Sequence, residues 1–435
     1  MTNVVLPADG LVIKQDTKLQ PGTYHLPVGL IISNDEVVLD GQGALLMGKN
    51  KSGRGITLKN CQNVTLKNLR LCNYYHGIYA ENCQKLTITG CQVTNTAEVP
   101  ANTIFLDIWQ TAEQAYGAGI FLWQVGHSRI QHNDLQHQMN GLLSYQCHHL
   151  KVQNNIANYC SGFGFHLFET SHSLFSQNYA DYCCRYHPIE ESAGHLGADA
   201  AGFLLVHNSC HNVFRRNYAR LGGDGFFLAG LTPTGDHVDC SHNLFEENDG
   251  SYSPNNAFEA TFSRGNEFRR NKANYSNYGF WLGFSRDNVL EDNQAWGNRQ
   301  AGIAVENGLN MKAQGNDFRH NQYGILLWSK YVASFARAVP DNDTSREWQI
   351  ENNVFLHNEK AIRIAANQHH GVRSLPRNRS LAPMPHHHGI RRNRIQDNRV
   401  GIELDSVEET VIEKNEMRNN IAGDIVRVDE THRIS

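Results

Sequence analysis

The chain has 435 residues, a formal net charge of −4 and 40% apolar residues. A nearly neutral chain of ordinary apolar content reads as a packed protein and offers no basic surface for nucleic acid. No stretch approaches the roughly 18 apolar residues of a transmembrane helix.

The start, MTNVVLPADGLVIKQ, has neither a basic segment nor an apolar run that would mark export, so a cytoplasmic location is expected. Ten cysteines without an export signal are expected to be reduced thiols. Cys61, Cys83 and Cys147 each follow a repeat glycine by six residues, as small residues stacked in successive repeats would.

Residues 1–54, with PGTYHL and VVLDGQGALL, read as an N-terminal cap and the first coils. From residue 55 a repeat runs to the end. NVFRRNYARLGGDGFFLAG, NEFRRNKANYSNYGFWLGF and NVLEDNQAWGNRQAGIAVEN share an apolar residue, Asn three later, Gly eight or nine after that, then apolar-x-apolar. The Asn recurs at 133, 155, 178, 217, 248, 271, 293, 316, 353, 393 and 415. The Gly position recurs at 55, 77, 119, 141, 164, 202, 225, 257, 279, 302, 324, 361, 401 and 423, with Ala at 257 and 361. Most steps are 22 or 23 residues. Such a period suits a leucine-rich repeat or a parallel β-helix. Leucine does not dominate, no segment has helical periodicity, and residues after each glycine alternate, so the β-helix is favoured. The expected fold is all-β: a single-domain right-handed parallel β-helix of about 14 or more coils, each stacked about 4.8 Å from the last. Asn is expected to take the left-handed turn conformation and to hydrogen-bond its copy one coil away.

These coils, with GTYHL, VVLDGQGALL and GITLKNCQNVTLKNLRL near the start, resemble the right-handed parallel β-helix repeat proteins of the pectate-lyase-like superfamily. The resemblance covers nearly the whole chain. It implies action on polysaccharides by hydrolysis, elimination or epimerisation, and suggests a homotrimer. The NTD, DD and GHG motifs of polygalacturonases and the DPHD of mannuronan epimerases are absent from the sequence.

Insertions at 95–117, 181–200, 230–240, 329–346 and 366–388 all border the glycine strand and would wall a groove floored by its sheet. Positions two and four after each glycine point outward: Phe121, Trp123, Leu143, Tyr145, His166, Phe168, Leu204, Phe227, Glu259, Trp281, Leu326 and Trp328. An exposed aromatic floor suits the apolar faces of sugars. The alternative is that the loops fold down and bury it.

In GGDGFFLAG, Asp224 stands at the floor's edge beside Phe227; Asp199 ends the 181–200 insertion, and Glu259 lies where adjacent coils place Phe227 and Trp281. Desolvation between aromatics would raise a carboxyl's pKa. Glu259 is therefore the expected general acid and Asp224 or Asp199 the base of an inverting glycoside hydrolase or transglycosylase. The alternative for the aspartates is turn fixation by backbone bonds. Substrate contacts are expected from His166, Glu169, Trp281, Phe227, Trp123, Tyr145, Arg185, Tyr186 and His187. The Arg, Tyr and His of the 181–200 loop equally suit a uronate lyase or epimerase. A third reading is a non-catalytic carbohydrate-binding or structural β-helix. No cofactor, metal site, membrane or nucleic-acid partner is expected; His386, His387 and His388 read as a solvated loop, and QCHHL at 146–150 as a turn.

Overall fold

The computed structural model describes residues 3–103, 105–185, 200–366 and 383–428. By internal contacts the chain falls into two compact units, Met1–Tyr186 with Gly197–Gly223, and His187–Leu196 with Asp224–Ser435. The expected right-handed parallel β-helix is the fold, and each unit is built from the same coil. In the first unit the main sheet runs from Val12–Ile13 through Arg54–Lys59, His76–Glu81, Ala118–Trp123, Asn140–Tyr145 and Phe163–Phe168 to Ala201–Val206. In the second it runs from Asp224–Ala229 through Asn256–Thr261, Tyr278–Trp281, Ala301–Glu306, Tyr323–Ser329, Lys360–Ala366 and Val400–Asp405 to Ile425–Val428. Neighbouring strands in both main sheets pair in parallel, as in Ile78↔Ile120 and Phe258↔Phe280.

The repeat glycine is the second residue of most of these strands, and it is needed for close approach. A Cβ on Gly141 would lie 2.5 Å from the carbonyl oxygen of Gly164 and 2.5 Å from Ala157 Cβ; on Gly302 it would lie 2.7 Å from Gly324 O. Gly141→Ala is expected to cost about 1–3 kcal/mol, as overpacking does, read as a lower denaturation midpoint. The residues on either side of the outward positions fill the coil interior. Phe165 stacks on Phe203 at 4.8 Å, and Phe258 on Phe226 and Phe280 at 4.8 and 5.0 Å. All five are fully buried, each contributing about 1.5–3 kcal/mol.

A second parallel sheet leads into the asparagine position. In the first unit Asn133, Asn155, Asn178 and Asn217 form a column in which each side-chain amide donates to the next Asn oxygen at 2.9–3.0 Å. In the second unit the column runs through Asn248, Asn271, Asn293, Asn316, Asn353, Asn393 and Asn415. The bonding to copies is as expected, but the left-handed turn is not on the Asn. It falls on the residue before: His132, Asn154, Gln177 and Arg216 have φ of 54–56°. The Asn amide must lie inside the coil, so the reversal moves one residue upstream. A parallel slot after the main strand places His127, His149, His172 and His211 in the same conformation. Histidine tolerates it better than most residues, which accounts for some of the unusual histidine content. All ten cysteines are free, and Cys61, Cys83 and Cys147 are buried in their turns.

Candidate functional site

In the first unit the outward aromatic row is present but covered. Tyr79, Phe121, Tyr145 and Phe168 stack in sequence at 5.0–5.5 Å, and His207 follows Phe168 at 4.2 Å. Phe121, Leu143, Tyr145, Phe168 and Leu204 are at most 8% exposed. The expectation of an open aromatic floor is corrected here, because a loop folds down. Arg185, expected to bind substrate, ties down the 95–117 segment: Nε donates to Thr103 O at 2.8 Å, Nη2 to Pro100 O at 3.0 Å and Nη1 to Ser161 O at 3.0 Å. Arg185→Ala is expected to lower the unfolding midpoint by about 1–3 kcal/mol, because the buried guanidinium's three hydrogen bonds to partly exposed carbonyls are lost. A substrate-binding role would raise KM and leave that midpoint unchanged.

His166 is 3% exposed and its Nε2 has no hydrogen-bond partner among the described residues. Burial pushes its pKa down to about 3, as it does for His76 and His388. His388 therefore does not belong to the solvated loop expected for 386–388. The unfolded chain binds protons at these positions below pH 6.5 while the folded chain does not, so stability falls as pH drops from about 6.5 towards 3. His166→Gln is expected to reduce that slope by up to about 1.4 kcal/mol per pH unit, read from denaturation midpoints at pH 6 and 4.

Trp123 is half-buried and Glu169 exposed. Gln146 joins them, its Oε1 accepting from Trp123 Nε1 at 3.2 Å and its Nε2 donating to Glu169 Oε2 at 2.8 Å. Tyr186, His187 and Asp199 lie outside the described residues.

The second unit carries accessible acid beside an aromatic ring. Glu259 pairs in register with Phe227 on one side and Trp281 on the other, as the spacing implied. Glu259 and Trp281 are half-buried, and Phe227 is 8% exposed. Asn256 Nδ2 donates to Glu259 Oε2 at 2.5 Å, fixing the carboxylate. Asp224 is 3% exposed, and its Oδ1 accepts the Asn256 backbone N–H at 2.8 Å. Asn140 does the same in the first unit, accepting from Phe163 N at 2.9 Å. Asp224 thus shares a strand-linking role with an uncharged residue.

Sequence reasoning missed Glu306. It lies four residues after Gly302, on the outward face, and pairs in register with Trp328. Trp281 and Trp328 approach to 5.6 Å, in a cluster with Tyr278, Ala304, Tyr323 and Leu326. Glu306 is 9% exposed, and burial raises its pKa; Lys330 Nζ, 3.4 Å from Oε1, opposes that rise. Trp281 pairs with Ala304 on the Glu306 strand. The strip Glu259–Trp281–Glu306 therefore occupies three consecutive strands. Alternation and the flanking tryptophans were the signal for Glu306, but its AVENG context reads as a turn.

Further along the same sheet, Arg363 is paired with Glu403 and, at 3.0 Å, with Asp405; Lys360 Nζ is 2.6 Å from Glu403. Burial and the Arg363 and Arg399 charges lower the Lys360 pKa to about 8. The helix Ala333–Ala338 lies in the 329–346 insertion, whose Phe335 and Val339 pack on Phe262 and Phe284. A pocket there is lined by His237, Asp239, Arg264, Arg286 and Asp341. Both arginines in it are ion-paired.

The family described as "Periplasmic copper-binding protein (NosD)" matches residues 28–217 and 188–374. That description overturns the cytoplasmic expectation, since the family is a periplasmic one. No curated protein matches the chain. Among solved structures, the mannuronan C-5 epimerase AlgE6 A-module of Azotobacter vinelandii is 12% identical, with a TM-score of 0.48 over 95% of this chain and 91% of that one. An alginate lyase from Paenibacillus sp. str. FPU-7 is 9% identical, with a TM-score of 0.42 over 72% and 92%. The Streptococcus pneumoniae surface protein and adhesin PfbA is 12% identical, with a TM-score of 0.47 over 75% and 90%. Likenesses this distant decide nothing about the chemistry of this chain.

Proposed function

For a chain that belongs to the NosD family, we propose a carbohydrate-active enzyme that holds a glycan across the Glu259–Trp281–Glu306 strip and cleaves it by carboxylate acid/base catalysis. The observation that carries this reading is a pair of carboxyl groups in opposed surroundings. Glu306 is buried among tryptophans with its pKa raised, whereas Glu259 is half-exposed and held by an amide N–H. A desolvated carboxyl whose pKa is raised keeps its proton as a general acid must. Glu306 donates the proton to the leaving oxygen, and Glu259 activates water. The acid role passes from Glu259 to Glu306, and Asp224 becomes support for the Asn256 that positions Glu259. Two coils and two residues separate them, about 12 Å between Cα atoms. Side chains that converge by a few ångströms reach the 6.5–9.5 Å spacing of an inverting enzyme, not the shorter spacing of a retaining one. Trp281, between them, is the sugar platform.

A second reading is uronate elimination or epimerisation. Lys360, with a pKa near 8 beside Tyr323 and Arg363, favours it. A screen of glycans separates the two. New reducing ends without unsaturated-uronate absorbance, lost in Glu259→Gln, support hydrolysis. Absorbance that survives Glu259→Gln and disappears in Lys360→Met supports elimination.

The family's description names copper; on this chain burial raises the thiols of Cys91 and Cys147 to about 12, whereas the hydrogen bond with Cys83 holds the Cys61 thiol down at about 7.

A further inference from the structure

We infer that His127, His148 and His149 of the first unit form a binding site for one late first-row divalent cation, of which Cu²⁺ and Zn²⁺ are the probes. One ligand nitrogen from each ring lies within 4.8 Å of the other two. His148 Nδ1 and His149 Nδ1 are 3.1 Å apart. Two nitrogens bound at about 2.0–2.1 Å to one tetrahedral ion would be separated by about 3.4 Å, so little movement is needed. His127 and His149 stack at 4.7 Å, and the His148 ring stands edge-on to both, at 5.1 and 5.3 Å.

Turn conformation explains two of these residues but not the third. His127 and His149 fill the left-handed slot, which His172 and His211 continue. His148 has no such conformation, and its slot holds Gln84, Gly126 and Ser171 on neighbouring coils. No backbone demand places histidine there. Gly126 makes its room: a Cβ on Gly126 would lie 2.5 Å from His148 Cε1 and 2.8 Å from Nε2. Three imidazoles without a thiolate or carboxylate suit copper and zinc over magnesium or calcium, and three protein ligands leave a position for water. The inference rests on these rings alone and is independent of the glycan reading.

The test uses the full chain carrying His387→Ala, which removes the other ligand group found among the described residues, His386, His387 and Glu409. Equilibrium dialysis with CuCl₂ and with ZnCl₂ measures stoichiometry and affinity, and electron paramagnetic resonance reads nitrogen couplings on Cu²⁺. One ion per chain is expected. Affinity should weaken ten-fold or more, about 1.4 kcal/mol, in His148→Ala and in His127→Gln, with fewer nitrogen couplings. His172→Gln, which shortens the stack without removing a ligand, should bind as the parent does. Unchanged binding in His148→Ala and His127→Gln, or an equal loss in His172→Gln, would overturn the site. The unfolding midpoint of each metal-free variant confirms its fold, and His127→Gln decides the matter if His148→Ala does not fold.

Discussion

Glu306→Gln and Glu259→Gln are each expected to lower turnover on a cleaved glycan by about 10²–10⁴-fold, the usual contribution of positioned acid–base catalysis, with KM changed far less. Both substitutions keep size and hydrogen-bonding capacity, so the unfolding midpoint should hold in Glu259→Gln and rise or hold in Glu306→Gln, which removes a buried ionisable group. The pH profile distinguishes the roles. Activity requires Glu306 protonated, so it declines as pH rises through the raised Glu306 pKa. Lys330 lowers that pKa through its charge, so Lys330→Met should carry the alkaline limb to higher pH and leave the acid limb in place. An alkaline limb unmoved by Lys330→Met would remove Glu306 from the acid role. Trp281→Ala should raise KM, because it removes the platform and neither carboxyl group.

Asn293→Ala is expected to be among the most destabilising single substitutions in the second unit, at about 3–5 kcal/mol. Its Oδ1 accepts from both Asn271 N at 2.9 Å and Asn271 Nδ2 at 3.0 Å, and its Nδ2 donates to Phe268 O at 2.8 Å and Asn316 Oδ1 at 3.0 Å. Alanine takes a partner from four buried polar groups; Asn271 Nδ2 keeps Phe245 O and Asn316 Oδ1 keeps the residue-293 backbone N–H, so the cost comes chiefly from the other two, at about 1–3 kcal/mol each. Asn293→Asp keeps the acceptor but sets a buried carboxylate oxygen against Phe268 O and Asn316 Oδ1, so near neutral pH it should be at least as destabilising as alanine. Exposed Asn419, which makes one side-chain bond at 3.1 Å to Asp397 and has a left-handed φ of 57°, is the control, and its glycine variant, which takes that conformation without strain, should change stability by less than about 0.5 kcal/mol. Urea midpoints of the three variants measure the series. Equal effects for Asn293 and Asn419 would show that the column contributes no more than a surface bond.

The coil was legible because its chemistry admits few residue types. A glycine whose Cβ would strike the next strand, and an Asn that must donate and accept along an axis, leave a fixed spacing in any sequence that folds this way. The register of Glu259 between Phe227 and Trp281 followed from that spacing alone. The left-handed position escaped because it accepts His132, Gln177 or Arg216 alike, so no residue type marks it. The covered floor escaped for a different reason: whether Phe121 and Tyr145 are open depends on Arg185 reaching Thr103 O, 82 residues away in sequence. Glu306 was hidden by a local Asn-Gly signal that points to a turn, although its outward position was derivable by counting from Gly302.

The asparagine columns have an electrical direction. Every side-chain amide donates towards the next coil, so the dipoles align head to tail, and the hydrogen end of each column faces the C-terminal side. Backbone bonds between parallel strands alternate and largely cancel, but these amides add, as peptide dipoles do along a helix. A second column in the second unit, through Asn298, Asn321, Asn358, Asn398 and Asn420, ends where Asn420 Nδ2 meets Asp424 Oδ1 at 2.7 Å. The negative charge of Asp424 thus stands at the positive pole of a stack of neutral side chains.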